Sequence, residues 1–405
     1  MFVNTASNYE YSDDDDDDQS MVSLRMGRTV HRTYMGRRSG CSQPAVIALL
    51  LISCFIFILF HLASMVPRKP VPPNFAWAAN ASRNITLYIR PNEPTSLLQP
   101  KNFCKPNPFI LFVVPSAINN TKERVAIRRT WGQWANTHAS RVLTKEESPP
   151  NKNNQKSPLE PYVHPARLSK LVFLLGKSRG QDPISSSVLE ESRLYGDIVV
   201  EDFVDSYTNL TLKSVFMLKW VHQNCPNVNF VMKVDDDIFV NVLNLEQALM
   251  NKTVAKTPLL LGSLICGARP IHDQWSKWYT PKYMFREGKY PNYLSGTGYV
   301  ISGDIIQSLL KAALSTDYFH LEDVFITGLC ARTIGVRAVD HVGFSYQPRA
   351  ISACLYRDVI MGHGVLPSEM VILWNRMNHP ASFEKCHPIK KSKLRGHTPT
   401  KCNWR

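Results

Sequence analysis

The chain has 405 residues, of which 44% are hydrophobic and 20% are charged, a composition typical of a folded globular protein over most of its length. Its formal net charge is +14, but the basic residues are scattered outside a cluster at 25–38 and a tail at 390–405. Neither a basic helix nor an aromatic platform for RNA is present, so we expect no nucleic-acid binding.

The first predicted element is a membrane-spanning helix at 44–66. The run AVIALLLISCFIFILFHLASMV is almost wholly apolar, and about 20 such residues in a helix match the thickness of a bilayer core. More basic residues precede this run than follow it, which predicts a cytoplasmic tail at 1–43 and a lumenal remainder. A cleaved signal peptide is the alternative, although its apolar region usually has about 7 to 15 residues.

Two further features favour a lumenal body. N-glycosylation sequons begin at Asn80, Asn84, Asn119, Asn209 and Asn251. Seven of the nine cysteines follow the predicted span. In an oxidising compartment we expect most of these seven to pair, which leaves an odd one free or intermolecular. No Cys/His spacing indicates a zinc site.

The composition of the chain after the predicted span indicates three parts: a stem at 67–108, a main domain at 109–385 and a basic tail at 386–405. The stem is rich in Pro and Asn and is predicted to be extended. In the main domain, apolar runs alternate with helical segments, which predicts βαβ units and a mostly parallel sheet. These segments are FILFVVPS from 109, a helix at 123–134, LVFLLG from 171, a helix at 186–195, DIVVEDF from 197, a helix at 210–224 and NFVMKV from 229. A polar stretch at 138–170 is predicted to be a surface loop insertion.

Three consecutive carboxylates, Asp235, Asp236 and Asp237, follow the last of these strands. In an α/β sheet, ligands bind beyond the carboxyl ends of the strands. Carboxylates flanked by apolar residues are hard to keep ionised without a compensating cation. Oxygen ligands that leave room for substrate phosphates suit Mg²⁺ or Mn²⁺, so the pattern indicates a metal-assisted phosphate site. A surface or capping role is the alternative.

Six segments in order and spacing resemble the β-1,3-galactosyltransferase family, which includes β-1,3-N-acetylglucosaminyltransferases. They are ERVAIRRTWG from 123, VVEDFVDSYTNLTLK from 199, KVDDDIFVN from 233, SKWYTPKYMF from 276, YPNYLSGTGYVIS from 290 and HLEDVFITGLC from 320. The resemblance extends over about residues 109–374. It implies an α/β, GT-A-like domain that binds a nucleotide sugar, in a single-pass type II protein of the Golgi membrane.

The resemblance also implies the ligands of the donor site. Asp235 and Asp237 fill the DxD positions: Asp237 is expected to coordinate Mn²⁺ directly, and Asp235 to contact the nucleotide ribose or a metal-bound water. His363 is the expected third metal ligand. Strand alternation turns Asp236 elsewhere, although a turn could return it to the cofactor site.

Asp323 matches the family's catalytic base, which removes the proton of the acceptor hydroxyl as that hydroxyl attacks. The adjacent Glu322 is its rival, and because neighbours on a helix point about 100° apart, only one of the two should serve. A carboxylate pair that stabilises the helix N-terminus is the alternative.

Other candidates surround these groups. We expect Arg128 and Arg129 to pair with the phosphates of the nucleotide and Trp131 to stack on its base, although all three could instead be packed helix residues. We expect Asp202 to lie near the donor, although it could instead be a capping carboxylate. For the acceptor or donor sugar we expect a platform around the SGTGY turn, with core aromatics as the alternative. Its members are Trp278, Tyr290, Tyr293, Gly296, Gly298 and Tyr299, next to Glu322.

The expected activity is inverting transfer of galactose from UDP-galactose, in β-1,3 linkage, to a glycan acceptor on a glycoprotein or glycolipid. Transfer of N-acetylglucosamine or N-acetylgalactosamine is the first alternative. A non-catalytic lectin-like or chaperone protein on the same fold and a metal-dependent phosphohydrolase are the others.

Overall fold

The computed structural model describes residues 43–65, 82–134, 168–178, 180, 184–255, 258–383, 386–389, 394–395 and 402. The predicted insertion at 138–170 lies almost wholly outside these residues, as does Asn80. The chain divides into two compact units, 1–70 and 71–405. In the first, the described residues form helix α1, Gln43–Met65. Across the described ranges, no helix is both long enough and apolar enough to cross a bilayer, so the span at 44–66 stays a prediction.

The second unit is built on an eight-stranded sheet with the order β1-β4-β3-β2-β5-β8-β7-β9. Its strands are β1 Ser96–Leu98, β2 Ile110–Pro115, β3 Ser169–Lys177, β4 Ile198–Val204, β5 Phe230–Val234, β7 Leu260–Ile265, β8 Tyr293–Ser302 and β9 Val339–Asp340. Strands β4, β3, β2 and β5 are parallel, and β8 runs antiparallel to β5 and β7. A two-stranded ladder joins β6, Phe239–Val240, to β10, Met361–Gly362. The predicted mostly parallel central sheet is confirmed.

The helices follow the strands as the apolar periodicity predicts. They are α2 Thr86–Ile89, α3 Thr121–Arg129, α4 Ser186–Tyr195, α5 Leu210–Asn224, α6 Val242–Ala255, α7 Ile306–Ser315, α8 Ala331–Thr333, α9 Ala353–Asp358 and α10 Pro367–Met377, with a π-helix at Val324–Cys330. The bounds of α4 and α5 are the predicted ones. The helix expected at 123–134 breaks at Thr130, whose φ of -123° and ψ of -119° lie outside the helical region.

The sheet separates two hydrophobic clusters because successive side chains of a strand point to opposite faces. In β2, Leu111 and Val113 pack into one cluster, and Ile110, Phe112 and Val114 pack into the other. All six residues of β2 are buried. Helix α5 supplies much of the first cluster, including Phe216 and Trp220. Burial on both faces accounts for the continuous apolar runs of the central strands.

The predicted extended stem at 67–108 differs from the structure over its described part. Strand β1 pairs antiparallel with β4 and covers the edge of the sheet, and the Cys104–Cys225 disulfide ties the segment to the end of α5. Lys219 of α5 also binds the segment, since its ammonium donates to the carbonyls of Ile89, Arg90 and Glu93. Residues 82–108 therefore belong to the folded domain.

The C-terminal residues are also fastened to this domain. The Cys354–Cys386 disulfide and the Cys266–Cys402 disulfide bracket the predicted basic tail at 386–405. Cys330 is buried and outside any disulfide. Six of the seven cysteines after the predicted span are thus paired and one is not, as the count predicted.

Candidate active site

The ends of three parallel strands meet at one edge of the sheet and are linked by hydrogen bonds. Ser116 follows β2, and its hydroxyl donates to Asp236, which follows β5, at 2.7 Å. Lys213 of α5 donates to the carbonyl of Ser116 at 2.8 Å and to Asp205, after β4, at 2.8 Å. Parallel strands place their carboxyl ends together, so Asp205 after β4 and Asp236 after β5 lie at the same edge of the sheet.

Asp236 is directed into the protein. Besides Ser116, the side-chain amide of Asn120 donates to it at 2.9 Å. Burial raises the pKa of Asp236, while the hydrogen bonds from Ser116 and Asn120 act in the opposite direction. Asp236 therefore ties the loop after β2 to the end of β5, as strand alternation predicted.

Arg124 holds this loop from the other side. Its guanidinium is fully buried and pairs with both carboxylate oxygens of Glu191, at 2.8 and 2.7 Å. It also donates to the carbonyls of Ala117 and Ile118, at 2.6 and 3.1 Å. Such a charge-assisted, bidentate arrangement fixes geometry as well as energy. Sequence reasoning missed Arg124, although it opens the ERVAIRRTWG segment that carries the family resemblance.

Asp237 lies beside His363, with Oδ2 3.4 Å from Nε2. Its other oxygen, Oδ1, is buried and has no hydrogen-bond partner within the described part of the protein. A hydrogen bond donated by the imidazole to Asp237 raises the pKa of His363 above its ordinary value. Strand pairing between β6 and β10 brings the two residues together, because Asp237 precedes β6 and His363 follows β10. The predicted proximity of these two ligand candidates is thus observed.

Asp235 turns away from this pair toward Lys233. Oδ1 of Asp235 accepts from the Lys233 ammonium at 2.6 Å, and its backbone N–H donates to the Thr297 carbonyl at 3.1 Å. Over the described residues, no three His, Cys, Asp or Glu side chains form a group able to hold a metal ion by themselves. Burial raises the pKa of Asp235 to about 6, and the nearby Asp237 adds to this rise. A cation would relieve that crowding of carboxylates.

Asp323 and Glu322 have different surroundings. Glu322 is buried and accepts from the Tyr299 hydroxyl at 2.6 Å, whereas Asp323 is partly exposed. Asp323 caps the π-helix by accepting from the Val324 N–H at 2.9 Å, and accepts from the Gly296 N–H at 3.3 Å. Burial raises the pKa of Asp323 to about 6, and the adjacent Glu322 adds to this rise. The two neighbours therefore diverge as predicted, and the capping alternative holds as well.

Arg128 and Trp131 are packed inside the protein. The Arg128 guanidinium pairs with Asp197 at 2.8 Å and with Glu191 at 2.7 Å, and lies over the Tyr195 ring at 3.9 Å. The Trp131 indole is fully buried and donates to the Ile238 carbonyl at 2.9 Å. These contacts favour the packed-helix alternative for both residues. Through Ile238, Trp131 supports the turn that follows Asp237.

Arg129 and Asp202 remain accessible. Arg129 ends α3 and is exposed. Asp202 is partly exposed at the end of β4 and accepts from Lys177 at 2.7 Å and from Arg90. The hydrogen bond from Lys177 is the main reason that the pKa of Asp202 lies below its ordinary value. The structure thus gives Asp202 two cationic partners, and its predicted role near the donor stays a prediction.

Several aromatic side chains lie near Asp323. Trp278 is about half exposed, and Tyr293 is partly exposed and meets Tyr290 edge to face. Tyr290 itself is buried, with its hydroxyl 2.8 Å from that of Thr280. Sequence reasoning missed Tyr207, whose exposed ring lies close to Trp278. Burial raises the pKa of the Tyr207 hydroxyl, as do the carboxylates of Asp323 and Asp235.

The turn predicted at SGTGY is not observed: residues 295–299 lie within strand β8, where the two glycines permit close approach to protein groups. A Cβ at Gly298 would lie 2.9 Å from the sulfur of Met361, and one at Gly296 would lie 3.2 Å from a carboxylate oxygen of Glu322. Tyr299, the next residue of β8 after Gly298, is fully buried, and its hydroxyl donates to the same Glu322 carboxylate. The predicted sugar platform is therefore divided: Trp278 and Tyr293 are accessible, whereas Tyr290, Gly298 and Tyr299 belong to the core.

In α/β proteins, ligands bind beyond the carboxyl ends of the strands, the edge at which these acidic groups lie. The family model described as Galactosyltransferase matches residues 122–342, more than half of the chain. The chain belongs to this galactosyltransferase family, and it is a glycosyltransferase.

Individual relatives agree with this assignment. Beta-1,3-galactosyltransferase 1 of Mus musculus is 33% identical over 347 residues, which cover 83% of this chain and 97% of that protein. UDP-GlcNAc:betaGal beta-1,3-N-acetylglucosaminyltransferase 7 of Rattus norvegicus is 33% identical over 293 residues, which cover 69% of this chain and 66% of that protein. The solved structure of a glycosyltransferase involved in the glycosylation of the major capsid of PBCV-1 aligns with 10% identity over 66% of this chain and 98% of that one. Its TM-score is 0.33, a level at which no functional conclusion follows.

Proposed function

We propose that the chain is an inverting β-1,3-galactosyltransferase that transfers galactose from UDP-galactose to a glycan acceptor on a glycoprotein or glycolipid. The observation that carries this proposal is the position of Asp323, a partly exposed carboxylate with a raised pKa next to exposed aromatic rings. Family membership and the names of the galactosyl relatives support the reaction class.

Asp323 acts as the general base. Its carboxylate takes the proton of the acceptor hydroxyl while the hydroxyl oxygen forms a bond to the anomeric carbon and the bond from that carbon to the UDP oxygen breaks. Because attack occurs opposite the leaving group, the configuration inverts. Glu322 is unsuited to this role, since it is buried and already accepts from Tyr299. The N–H groups of Val324 and Gly296 hold Asp323 in place.

The cation is proposed to be Mn²⁺, held by Asp237 and His363, with Asp235 beside them. The unpartnered, buried Oδ1 of Asp237 supports this assignment, since a carboxylate oxygen and an imidazole nitrogen are suitable ligands and the donor's phosphates can supply others. When bound, the ion neutralises the charge that develops on the departing UDP.

The sugars are proposed to lie against the exposed rings of Trp278 and Tyr207, with Tyr293 nearby. The C–H faces of a hexose pack on aromatic rings while its hydroxyls seek polar groups. Transfer of N-acetylglucosamine is the alternative favoured by a specific observation, because the Rattus norvegicus relative carries that activity in its name. Transfer of N-acetylgalactosamine, a non-catalytic lectin-like or chaperone role and a metal-dependent phosphohydrolase are the remaining alternatives.

An assay of the full-length chain tests the proposed activity. The chain is incubated with Mn²⁺, a panel of UDP-sugars and acceptors that end in different sugars, and the product is analysed by mass and linkage. We expect a β-1,3-linked galactose from UDP-galactose. Transfer from another donor would overturn the choice of sugar, and release of free sugar or phosphate would favour a hydrolase. Binding of UDP with Mn²⁺ but no transfer to any acceptor would favour the non-catalytic alternative.

The proposed location is the Golgi membrane, in a single-pass type II orientation with the catalytic domain in the lumen. Glycosylation tests this orientation. Asn84 and Asn119 are exposed, whereas the amide nitrogen of Asn209, to which a glycan would be attached, donates to the Val204 carbonyl at 2.8 Å. We therefore expect glycans on Asn84 and Asn119 and none on Asn209, as measured by glycopeptide mass spectrometry.

The controls for this measurement are Thr86→Ala and Thr121→Ala, which remove the sequons of Asn84 and Asn119 and should each reduce the glycosylated mass by one glycan. A chain without any glycan on these two residues would argue against a lumenal domain.

A further inference from the structure

A buried lysine connects the donor side of the site to its base side. Lys233 lies in β5, and its side chain is 6% exposed. The ammonium is 2.6 Å from Oδ1 of Asp235 and 3.9 Å from Oε2 of Glu322. It also donates to the Gly296 carbonyl. A buried charge is tolerated only with such partners, so the positions of Lys233 and these groups depend on one another.

The peptide of Gly296 continues this connection to Asp323. Its carbonyl accepts from Lys233, and its N–H donates to Oδ2 of Asp323 at 3.3 Å. A Cβ at this position would lie 3.2 Å from Oε2 of Glu322 and 3.3 Å from Cβ of Asp323. The backbone therefore fits closely against both carboxylates, and displacement of Gly296 would displace Asp323.

Tyr299 fixes the remaining side of this cluster. It is the β8 partner of Lys233 in the antiparallel register, and its hydroxyl donates to Oε1 of Glu322 at 2.6 Å. The ring is fully buried. Glu322 thus has one oxygen on Tyr299 and the other facing Lys233, which leaves Asp323 as the accessible member of the pair.

We propose that Lys233 is a positioning residue for glycosyl transfer: it holds the Gly296 peptide, and through that peptide the Asp323 carboxylate, in register with Asp235 on the donor side. This role rests on the proposed transferase activity. A general base must lie within hydrogen-bond reach of the proton that it removes, and a displacement of about 1 Å can lower the rate about 10²-fold. Lys233 touches no substrate; its effect passes through Gly296.

The test is Lys233→Met in the full-length chain, assayed with Mn²⁺, UDP-galactose and the best acceptor. We expect kcat to fall about 10–100-fold, while KM for the donor and the affinity for UDP with Mn²⁺ change less than about twofold. A higher donor KM at unchanged kcat would mean that Lys233 serves Asp235 alone and would overturn the proposal. Absence of transfer by the unsubstituted chain would overturn the proposed function as well.

A second variant separates positioning from stability, because removing one partner of a buried charge cluster is itself destabilising. Gly296→Ala keeps Lys233 and presses a methyl group against Glu322 and Asp323. The matched control is Gly262→Ala in β7, where a Cβ would meet three atoms of β8 at 3.3 Å, the Tyr299 Cβ among them, so that it strains the same strand while neither carboxylate is among its nearest neighbours. We expect a loss of kcat in the first variant only. Equal losses in both, or none in Gly296→Ala, would overturn the proposal.

Discussion

Replacing Asp323 with Asn is expected to lower kcat for galactose transfer by about 10²–10⁴-fold, the usual contribution of a general base. The amide has nearly the size of the carboxylate but cannot take the acceptor proton. Donor binding should persist, because Asp323 contacts Val324 and Gly296 and lies apart from the Asp237 and His363 pair. The measurement is kcat for the full-length variant, beside its affinity for UDP with Mn²⁺.

The matched control is Asp317→Asn, the same change six residues earlier, at a side chain that is 71% exposed and pairs with Arg83. This control should keep the unsubstituted rate. A similar loss in both variants would indicate a general effect on folding, and full activity in Asp323→Asn would assign the base to another group.

The pH dependence of the unsubstituted enzyme should agree with this role. The pKa of Asp323 is raised to about 6 by burial and by Glu322, and only the ionised carboxylate can accept a proton. We therefore expect kcat/KM to decrease as the pH falls through about 6 and to level off above it. In Asp323→Asn the part of this acidic limb that is due to Asp323 should be lost from the residual rate, whereas any part due to Asp235, whose pKa is also raised to about 6, should remain.

The central fold could be predicted from sequence because its signals are local. The apolar runs of β2, β3, β4 and β5 are buried on both faces. The apolar segment of α5 likewise begins and ends where the helix does, at Leu210 and Asn224. The parallel order of β4, β3, β2 and β5 then places their carboxyl ends on one edge, which is why a ligand site could be expected at the carboxylates after β5.

The departures from prediction depend on long-range contacts. Strand β1 has three residues, too few for a periodic signal, and it forms because the edge of β4 needs a partner. Trp131 and Arg128 were candidates for the nucleotide because their residue types suit stacking and phosphate binding. Their burial follows instead from neighbours distant in sequence, namely Ile238 for Trp131 and Asp197 for Arg128.

The site was partly predictable for the same reason. The separation of Glu322 from Asp323 follows from helical geometry, and the approach of His363 to Asp237 was implied by the family resemblance. The role of Lys233 could not be predicted, because its contacts depend on the register of β5 against β8. This register places Lys233 opposite Tyr299 and next to Gly296. The local sequence around a lysine that precedes an acidic turn does not indicate which carboxylates the lysine will contact.

The second large effect is expected at Asp237. Asp237→Ala should abolish Mn²⁺-dependent binding of UDP. Changes to groups that merely support a metal ligand typically lower the affinity about 10–100-fold, and we expect a greater loss here. Oδ1 of Asp237 is buried and has no partner among the described residues, and Oδ2 faces His363, so alanine would remove both oxygens that are placed to bind the ion. Titration calorimetry of UDP in the presence and absence of Mn²⁺ measures the effect.

Two further variants distinguish metal binding from packing. His363→Ala should weaken Mn²⁺-dependent UDP binding in the same direction, while His379→Ala, at an exposed histidine just after α10, should not change it. Asp236→Asn provides the internal comparison: its partners are Ser116 and Asn120, so it should lower stability more than metal-dependent affinity. If Asp236→Asn weakened Mn²⁺-dependent binding more than Asp237→Ala, the assignment of the metal ligand would have to move to Asp236, and the turn after β5 would have to be rearranged in the donor complex.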